Sequence, residues 1–160
     1  PEGGIGEDAD PNFTGRYTYL AGVPKPVIAA INGAVAGVGL AITLFADLRF
    51  MAAGAKLSAA FARRGLIAEH ATAWPLPRLI GPMNAMDLLL SGRTIPAEEA
   101  ERMGLVRVLP AERFLDAARA AVRELTGLSS PRSMRVIKRQ VWEGFFQDLA
   151  TASRRAAEAQ

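Results

Sequence analysis

The sequence has no cysteine and only one histidine, His70, among its 160 residues. Without cysteine, the chain can form no disulfide bond, no catalytic thiolate and no zinc site that depends on thiolate ligands. With one histidine, a metal site built from several histidines is impossible within a single chain. We therefore expect no metal site.

The start of the chain also lacks a recognisable targeting signal. No basic segment followed by an apolar segment is present there, which argues against a secretory signal peptide. The first residue is Pro1 rather than methionine, so we expect a fragment or a chain that lacks residues at its start. Half of the residues are hydrophobic and 22% are charged, which is typical of one globular domain. The net charge of +3 suits an anionic small ligand without indicating one.

The most informative stretch runs from Val27 to Asp47, VIAAINGAVAGVGLAITLFAD. Its pattern predicts a buried strand, a glycine-rich turn and an apolar helix that ends at an acid. Gly33, Gly37 and Gly39 allow a ligand to approach the backbone closely, since they carry no side chain. The N-terminus of a helix adds unpaired N–H donors and partial positive charge. The stretch therefore predicts a cradle for a negatively charged oxygen.

Three other interpretations of this stretch are open. A dinucleotide-binding turn needs G-x-G-x-x-G or A and an acid about 20 residues later, whereas Ile42 occupies the third position and Asp47 comes too early. A membrane span is suggested by the uncharged run from Val27 to Ala46, although Asn32 weakens it. In the third interpretation, the glycines only allow the strand and the helix to pack tightly.

The chain changes character near residue 82, which suggests three parts. We expect residues 1–16 to form a loop or mobile tail, residues 17–81 to form part of an α/β core, and residues 82–160 to form a helical region. Within the core, strands over 27–31 and 48–52 flank a helix over 40–46. This βαβ-like unit favours parallel pairing. Its helix is apolar nearly all round, so we expect it to be buried on every side.

Proline and glycine delimit the remaining elements. Gly92 is a suitable C-cap, and Ser130 is a suitable N-cap because its hydroxyl can accept a backbone hydrogen bond. Two prolines, Pro75 and Pro77, interrupt a possible helix over 69–79. The other expected elements are helices over 84–90, 96–104, 110–125 and from 131 to the end of the chain, and a strand over 105–109.

Glu69 and His70 are the only adjacent titratable residues suited to proton transfer near neutral pH. A carboxylate can exchange a proton there if burial raises its pKa, and an imidazole does so unaided. Neighbours on a helix point about 100° apart, so at most one of the two is expected to face a given substrate atom. The structural alternative is that Glu69 caps the first turn of a helix and His70 is half-buried at the surface.

Charged residues elsewhere have structural interpretations. Asp47 is expected at a helix-to-strand corner, where an acid usually accepts hydrogen bonds from backbone N–H groups, and Arg49 could pair with it locally. A basic cluster near the middle of the chain suits phosphate or a solvated face. Basic residues on the last helix could suggest nucleic acid, but few aromatic residues accompany them, which favours solvent or subunit contact. These two groups are Lys56, Arg63 and Arg64, and Arg132, Arg135, Lys138 and Arg139.

Two series of motifs resemble the crotonase (enoyl-CoA hydratase/isomerase) superfamily. The first is KPVIAAING at 25–33, followed by AGVGL at 36–40 and DLR at 47–49. The second is LLSGR at 89–93, followed by AEEA at 97–100 and GLV at 104–106. The resemblance covers roughly residues 17–160. It implies an α/β fold, a crotonase-like spiral of ββα units followed by a C-terminal helical trimerisation region.

The resemblance also implies an enzyme that acts on acyl-CoA thioesters. In this family the thioester carbonyl oxygen lies between two backbone N–H groups, which stabilise enolate character there. One donor falls at Val38, and the adjacent Gly37 and Gly39 are expected to contact the substrate. The other donor and much of the CoA contact belong to a first part of the core that we expect this sequence to lack.

Further implications concern cofactors, partners and location. Coenzyme A is part of the substrate, so the resemblance implies no separate cofactor. It implies a homotrimer, or a hexamer made of two trimers, with neither nucleic acid nor membrane as a partner. A cytoplasmic location and a role in fatty acid metabolism are expected on the same basis.

The sequence departs from the family at the two glutamates that place and activate water in hydratases. Ala41 and Phe61 occupy those positions; we expect them to contact substrate, but neither can move a proton. Glu69 falls where dienoyl-CoA isomerases of the superfamily carry an acid/base aspartate. We therefore predict Glu69 as the acid/base, with His70 second, in an enoyl-CoA hydratase or isomerase. The alternative is a non-catalytic acyl-CoA-binding or scaffold member that has lost the hydratase glutamates.

Overall fold

Residues 10–159 are described by a computed structural model, in which two small sheets pack among helices. Residues 1–9 of the expected tail lie outside this range, and Asp10 caps a 3₁₀ helix, Pro11–Phe13. The strands are β1 (Ile28–Ile31), β2 (Val35–Ala36), β3 (Leu48–Ala52), β4 (Lys56–Ser58), β5 (Thr94–Pro96) and β6 (Arg107–Leu109). The α-helices are α1 (Tyr19–Gly22), α2 (Val38–Leu44), α3 (Pro75–Ile80), α4 (Pro82–Ser91), α5 (Ala97–Arg102), α6 (Phe114–Thr126), α7 (Pro131–Gly144) and α8 (Leu149–Glu158). A second 3₁₀ helix spans Ala62–Arg64.

The first sheet has the order β1-β3-β6 and is parallel throughout. β1 lies beside β3, with Ile28 opposite Leu48 and Ile31 opposite Met51. Helix α2 belongs to the crossover between these strands, because a parallel pair requires the chain to return to its starting end. The predicted βαβ-like unit with parallel pairing is therefore confirmed.

The second sheet has the order β2-β4-β5. β2 pairs with β4 in parallel, with Ala36 opposite Ser58, whereas β5 pairs with β4 antiparallel. β2 and β5 contain two and three residues, too few for an alternating apolar pattern to appear. Because β5 and β6 follow residue 82, strand pairing crosses the expected division of the chain there, and that division stays a prediction.

The main hydrophobic core joins the helices to both sheets. Leucines from α2, α3, α4 and β4 meet in it, and each is at most 1% exposed. Burial of such a side chain contributes roughly 1.5–3 kcal/mol. The core thereby fixes α2, and with it the glycine turn, against the rest of the fold. These leucines are Leu40, Leu44, Leu57, Leu76 and Leu88.

Helix α2 is buried on one side only, so the expectation that it is buried on every side is wrong. Leu40 and Leu44 are fully buried, but Val38 and Ile42 are 42% and 38% exposed. Ile42 faces a groove that runs along β1. An apolar pattern all round a helix does not distinguish a side that packs in the core from one that lines a groove.

The helix expected over 69–79 is confined to α3. Pro75 occupies its first turn, where a missing N–H costs nothing. His70 and Ala71 have φ values of 54° and 59°. These left-handed values are incompatible with a right-handed α-helix at residues 70 and 71.

The last helix does not run to the end of the chain, which corrects that expectation. α7 ends at Gly144, and α8 begins after Asp148, whose carboxylate accepts a hydrogen bond from the N–H of Thr151 at 2.7 Å. Asp is a preferred N-cap residue, so Asp148 was a signal in the sequence for the start of a separate helix α8. Two predicted caps are confirmed: Ser130 begins α7 and left-handed Gly92 ends α4.

The uncharged run from Val27 to Ala46 is divided among β1, β2 and α2. Among the helices of residues 10–159, none has both the length and the apolar character needed to cross a bilayer. The strand, turn and helix predicted for this run are confirmed, and a single membrane-spanning helix there is not.

Candidate active site

The glycine turn presents the backbone N–H of Val38 at the first residue of α2. Gly37, which precedes it, has φ 52° and ψ −119°, the angles of a type II′ turn that favour glycine. The Gly37 N–H donates to the carbonyl of Ser58 at 3.3 Å, whereas the Val38 N–H makes no backbone hydrogen bond within residues 10–159. An unpaired N–H at a helix start is available to a ligand oxygen.

The pairing of β2 with β4 brings this turn beside the segment that follows β4. Because the two strands are parallel, their carboxyl ends lie at the same edge of the sheet. From that edge the chain leaves β2 towards Val38, and it leaves β4 towards Phe61 and Glu69. In open parallel α/β sheets, ligands bind at the carboxyl ends of the strands. The topology therefore places the Val38 N–H beside the start of the segment 59–70.

This segment and the residue after it contain three non-glycine residues with left-handed φ. They are Ala60, His70 and Ala71, with φ of 57°, 54° and 59°. Such angles are uncommon outside glycine and concentrate at functional sites. The fully buried Thr72 closes the turn that contains His70 and Ala71. Its hydroxyl and its N–H both donate to the Glu69 carbonyl, at 2.6 and 3.1 Å. The backbone at Glu69 is thus held in place by a buried side chain.

The side chains of Glu69 and His70 are both half-buried. The structural alternative in which Glu69 caps a helix is wrong, because α3 begins at Pro75. The Glu69 carboxylate takes part in none of the ion pairs formed within residues 10–159. The His70 ring packs edge-on against Tyr17, with 5.1 Å between the ring centroids.

The other predicted substrate contacts lie at different depths. Ala41 is fully buried and Phe61 packs in the main core at 4% exposure, so neither side chain offers surface to a ligand here. Gly39 lines the groove along β1, which has a volume of about 500 Å³ and is bounded mainly by apolar groups. Their roles as substrate contacts stay predictions.

Arg49 and Asp47 hold the C-terminal end of α2. Arg49 donates to the carbonyls of Ala46 at 2.7 Å and Leu105 at 2.9 Å, with a longer contact to Thr43 at 3.4 Å. Burial lowers the pKa of the Arg49 guanidinium, an effect that the nearby Asp47 partly offsets. The local Arg49–Asp47 ion pair expected from the sequence is not formed, because the guanidinium donates to carbonyl oxygens instead. Asp47 acts on Arg49 only by raising its pKa electrostatically.

Asp47 joins this corner to α7. Its carboxylate accepts from the Val27 N–H at 2.6 Å, as the sequence predicts for an acid at such a corner. It also accepts from Trp142 Nε1 at 2.7 Å and pairs with Lys138 Nζ at 2.8 Å. Sequence reasoning missed both partners, because Lys138 lies among arginines of α7 that suggest a solvated face.

Comparison with known proteins places these features in a family. The family model described as enoyl-CoA hydratase/isomerase matches residues 6–160. A probable enoyl-CoA hydratase of Mycobacterium tuberculosis is 43% identical over 122 residues, which cover 75% of this chain and 42% of that protein. The 1,2-epoxyphenylacetyl-CoA isomerase of Escherichia coli is 36% identical over 126 residues, which cover 78% of this chain and 48% of the relative.

Solved structures show the same fold. A probable enoyl-CoA hydratase/isomerase from Mycobacterium abscessus matches with a TM-score of 0.82 and 37% identity, over 88% of this chain and 55% of that one. A putative enoyl-CoA hydratase from Thermobifida fusca, solved in complex with CoA, matches with a TM-score of 0.81 and 30% identity, over 89% and 55%. The chain thus spans about half the length of the relatives it matches. With the glycine turn, the α/β architecture and these matches in agreement, the chain belongs to the enoyl-CoA hydratase/isomerase family and has the crotonase fold.

Proposed function

We propose that this protein acts on acyl-CoA thioesters, as an enoyl-CoA hydratase or an enoyl-CoA isomerase, with the Val38 N–H as one donor to the thioester oxygen. The observation that carries the proposal is the parallel pairing of β2 with β4. That pairing puts the unpaired Val38 N–H at the same sheet edge as the segment leading to Glu69. The relative solved with CoA supports a CoA thioester as the ligand class.

The Val38 N–H stabilises negative charge on the thioester oxygen as enolate character builds. Removing one donor of this kind typically costs about 2.7–4 kcal/mol of transition-state stabilisation. The start of α2 adds partial positive charge at the same point. No cofactor beyond the coenzyme A of the substrate is needed for this chemistry.

Glu69 is the proposed acid/base, with His70 as a second candidate. A turn strained at His70 and Ala71 and closed by the buried Thr72 holds the Glu69 backbone. The Glu69 carboxylate is free of ion pairs within residues 10–159. A single carboxylate that removes a proton and returns it elsewhere suits isomerisation more directly than addition of water, which uses two residues to place the water.

The alternative is a protein that binds acyl-CoA without turning it over. The family resemblance supports it, because it assigns the positions of the two hydratase glutamates to Ala41 and Phe61, which have no proton-transfer group. The two functions differ in a measurable way, since a scaffold binds the thioester but has no rate to lose.

The test is turnover of short and medium trans-2-enoyl-CoA and of 3-enoyl-CoA by the wild type and by Glu69→Gln. We expect the variant to lose roughly 10²–10⁴-fold in kcat. Glu124→Gln is the matched control, because Glu124 is an exposed carboxylate on α6. Unchanged turnover by Glu69→Gln would exclude Glu69 as the acid/base. Binding of acyl-CoA without turnover by the wild type would favour the scaffold.

A homotrimer, or a hexamer of two trimers, is proposed for the assembly. The C-terminal helices support it with exposed apolar side chains, among them Ile137, Val141 and Leu149, which are 57%, 58% and 86% exposed. Sedimentation equilibrium gives the mass directly, and a monomer at micromolar concentration would contradict the proposal.

A further inference from the structure

A cluster of aromatic side chains between α1, α3 and α7 lines a cavity of about 230 Å³ that is open to solvent on one side. Two small side chains, Ala21 and Ala71, leave space among the rings, and Asn12 and Thr18 supply polar atoms to the lining. We propose that this cavity binds one aromatic ring of a small ligand. The aromatic residues that line it are Phe13, Phe45, Trp74, Trp142 and Phe146.

The size of the cavity suits a single ring. An apolar cavity of about 150 Å³ in another protein stays dry and takes up benzene. At about 230 Å³, this cavity has room for a benzene-sized ring and a short substituent. A lining that is mainly apolar, with a few polar groups to orient the ligand, is typical of small-molecule sites.

The arrangement of the rings favours an aromatic occupant over an aliphatic one. Trp74 and Phe146 are stacked, with centroids 5.0 Å apart and planes inclined by 10°. Phe13 meets Phe146 edge-on, at 6.0 Å and 75°. These contacts hold the rings in fixed positions, and five aromatic side chains in the lining offer an inserted ring partners for stacked or edge-to-face contact.

Two features relate the cavity to the candidate active site. Ala71, in its wall, directly follows Glu69 and His70 in the chain. Phe45, also in its wall, follows the C-terminal end of α2, about 10 Å along the helix from Val38. The ring could belong to the far end of an acyl group or to a separate small molecule. Binding of a ring in this cavity does not depend on the proposed thioester chemistry.

The chain reports on this cavity directly, because both of its tryptophans line it. Benzyl alcohol is the probe, and we expect it to change tryptophan emission in a saturable way. Cyclohexylmethanol is the non-aromatic control, expected to bind roughly twofold to tenfold more weakly because it lacks the ring–ring interactions. Absence of a saturable response, or equal binding of the two alcohols, would overturn the proposal.

Substitutions in the lining test whether the change in tryptophan emission comes from binding in this cavity. Ala71→Met adds a longer side chain to the cavity lining and should abolish the saturable change. Phe146→Ala removes one wall and should weaken benzyl alcohol binding at least fivefold. Leu115→Ala is the control, because Leu115 is as exposed as Phe146, at 45% against 44%, and lies outside the cavity lining and the aromatic cluster. Binding that survives both Ala71→Met and Phe146→Ala would place the probe elsewhere and reject the site.

A competition experiment distinguishes the two sources of the ring. Phenylacetyl-CoA is titrated with and without saturating benzyl alcohol, and acetyl-CoA corrects for the effect of the CoA moiety on emission. If phenylacetyl-CoA competes with benzyl alcohol and acetyl-CoA does not, the cavity binds the acyl end of a substrate. Independent binding assigns it to a separate aromatic ligand. Both results support the cavity as a ring site, whereas loss of the benzyl alcohol response with acetyl-CoA alone contradicts it.

Discussion

Lys138 and Asp47 form a buried ion pair, 2.8 Å from Nζ to Oδ2, that joins α7 to the corner where α2 meets β3. Their side chains are only 6% and 17% exposed. Lys138 Nζ also donates to the carbonyls of Leu20 and Lys25, at 2.9 and 3.1 Å. One ammonium group thus connects three stretches of chain that are far apart in sequence.

The first prediction concerns removal of this ammonium group. Lys138→Met leaves the Asp47 carboxylate buried without its counter-ion, and we expect a loss of about 3 kcal/mol in the free energy of unfolding. This is the lower part of the usual range, because Asp47 keeps the hydrogen bonds from Val27 and Trp142. Urea unfolding measures the loss. Arg135→Met, at an exposed position of the same helix, should change stability by less than about 0.5 kcal/mol.

Equal stability of Lys138→Met and Arg135→Met would show that the ion pair does not stabilise the fold. The same result would also argue that α7 is held to the core chiefly by its apolar contacts, such as Trp142 stacked at 6.4 Å from Phe45.

The second prediction concerns Arg49, whose guanidinium reaches carbonyls on both α2 and the loop before β6. Arg49→Lys replaces a planar group with several donors by a point charge, which cannot serve those carbonyls at once. We expect a loss of about 2 kcal/mol of stability, since hydrogen bonds to a charged group contribute roughly 1.5–3 kcal/mol. Thermal unfolding of the variant beside Arg107→Lys, an exposed site on β6, is the measurement. Equal melting temperatures of the two variants would show that the hydrogen bonds of Arg49 do not stabilise the fold.

Local features of the fold could be predicted from the sequence, whereas contacts between residues far apart in the chain could not. The acid at the helix-to-strand corner, the cap at Ser130 and the left-handed Gly92 each depend on a few neighbouring residues. Lys138 and Trp142 contact Asp47 only after α7 has folded back on the core. Nothing in the spacing of residues along α7 distinguishes the one buried basic residue from exposed arginines beside it.

The same limit explains the turn at Glu69 and the second sheet. Two successive left-handed residues, His70 and Ala71, have no sequence signature, because their conformation depends on the buried Thr72 that closes the turn. β2 is positioned by its pairing with β4, a tertiary contact between very short strands. The sequence therefore predicts which residues could bind an oxyanion, and the fold supplies the edge at which they meet.

The third prediction concerns Gly37. A Cβ added there meets nothing within 4 Å, so an alanine is not excluded by a clash. Its φ of 52° is unfavourable for a residue with a side chain, and we expect Gly37→Ala to cost about 1–2 kcal/mol of stability. If the turn relaxes instead, the adjacent Val38 N–H is reoriented, and kcat for enoyl-CoA should fall more than binding of acyl-CoA weakens.

Gly33→Ala is the control for that prediction. A Cβ at Gly33 also meets nothing within 4 Å, and its φ lies outside the left-handed range. We expect it to stay within about 0.5 kcal/mol of wild type in stability. Equal stability of the two variants would mean that the φ of Gly37 carries no strain. An unchanged kcat in Gly37→Ala would mean that the conformation of Gly37 does not position the proposed donor.

The last prediction is a pH dependence that arises at Arg93. Its guanidinium contacts Asp87 and Glu99, each at 2.6 Å, and these hydrogen bonds lower the pKa of both carboxyl groups. A carboxyl group with a lowered pKa in the folded state contributes stability above its unfolded pKa, about 4, and that contribution is lost as pH falls through the folded pKa. We therefore expect Arg93→Met to be less stable than wild type at pH 7, with a difference that shrinks steadily below about pH 4. Urea midpoints measured across this pH range give the difference, and a gap between wild type and Arg93→Met that stays constant down to the acid limit would mean that Arg93 stabilises the fold by packing rather than by pairing with these carboxylates.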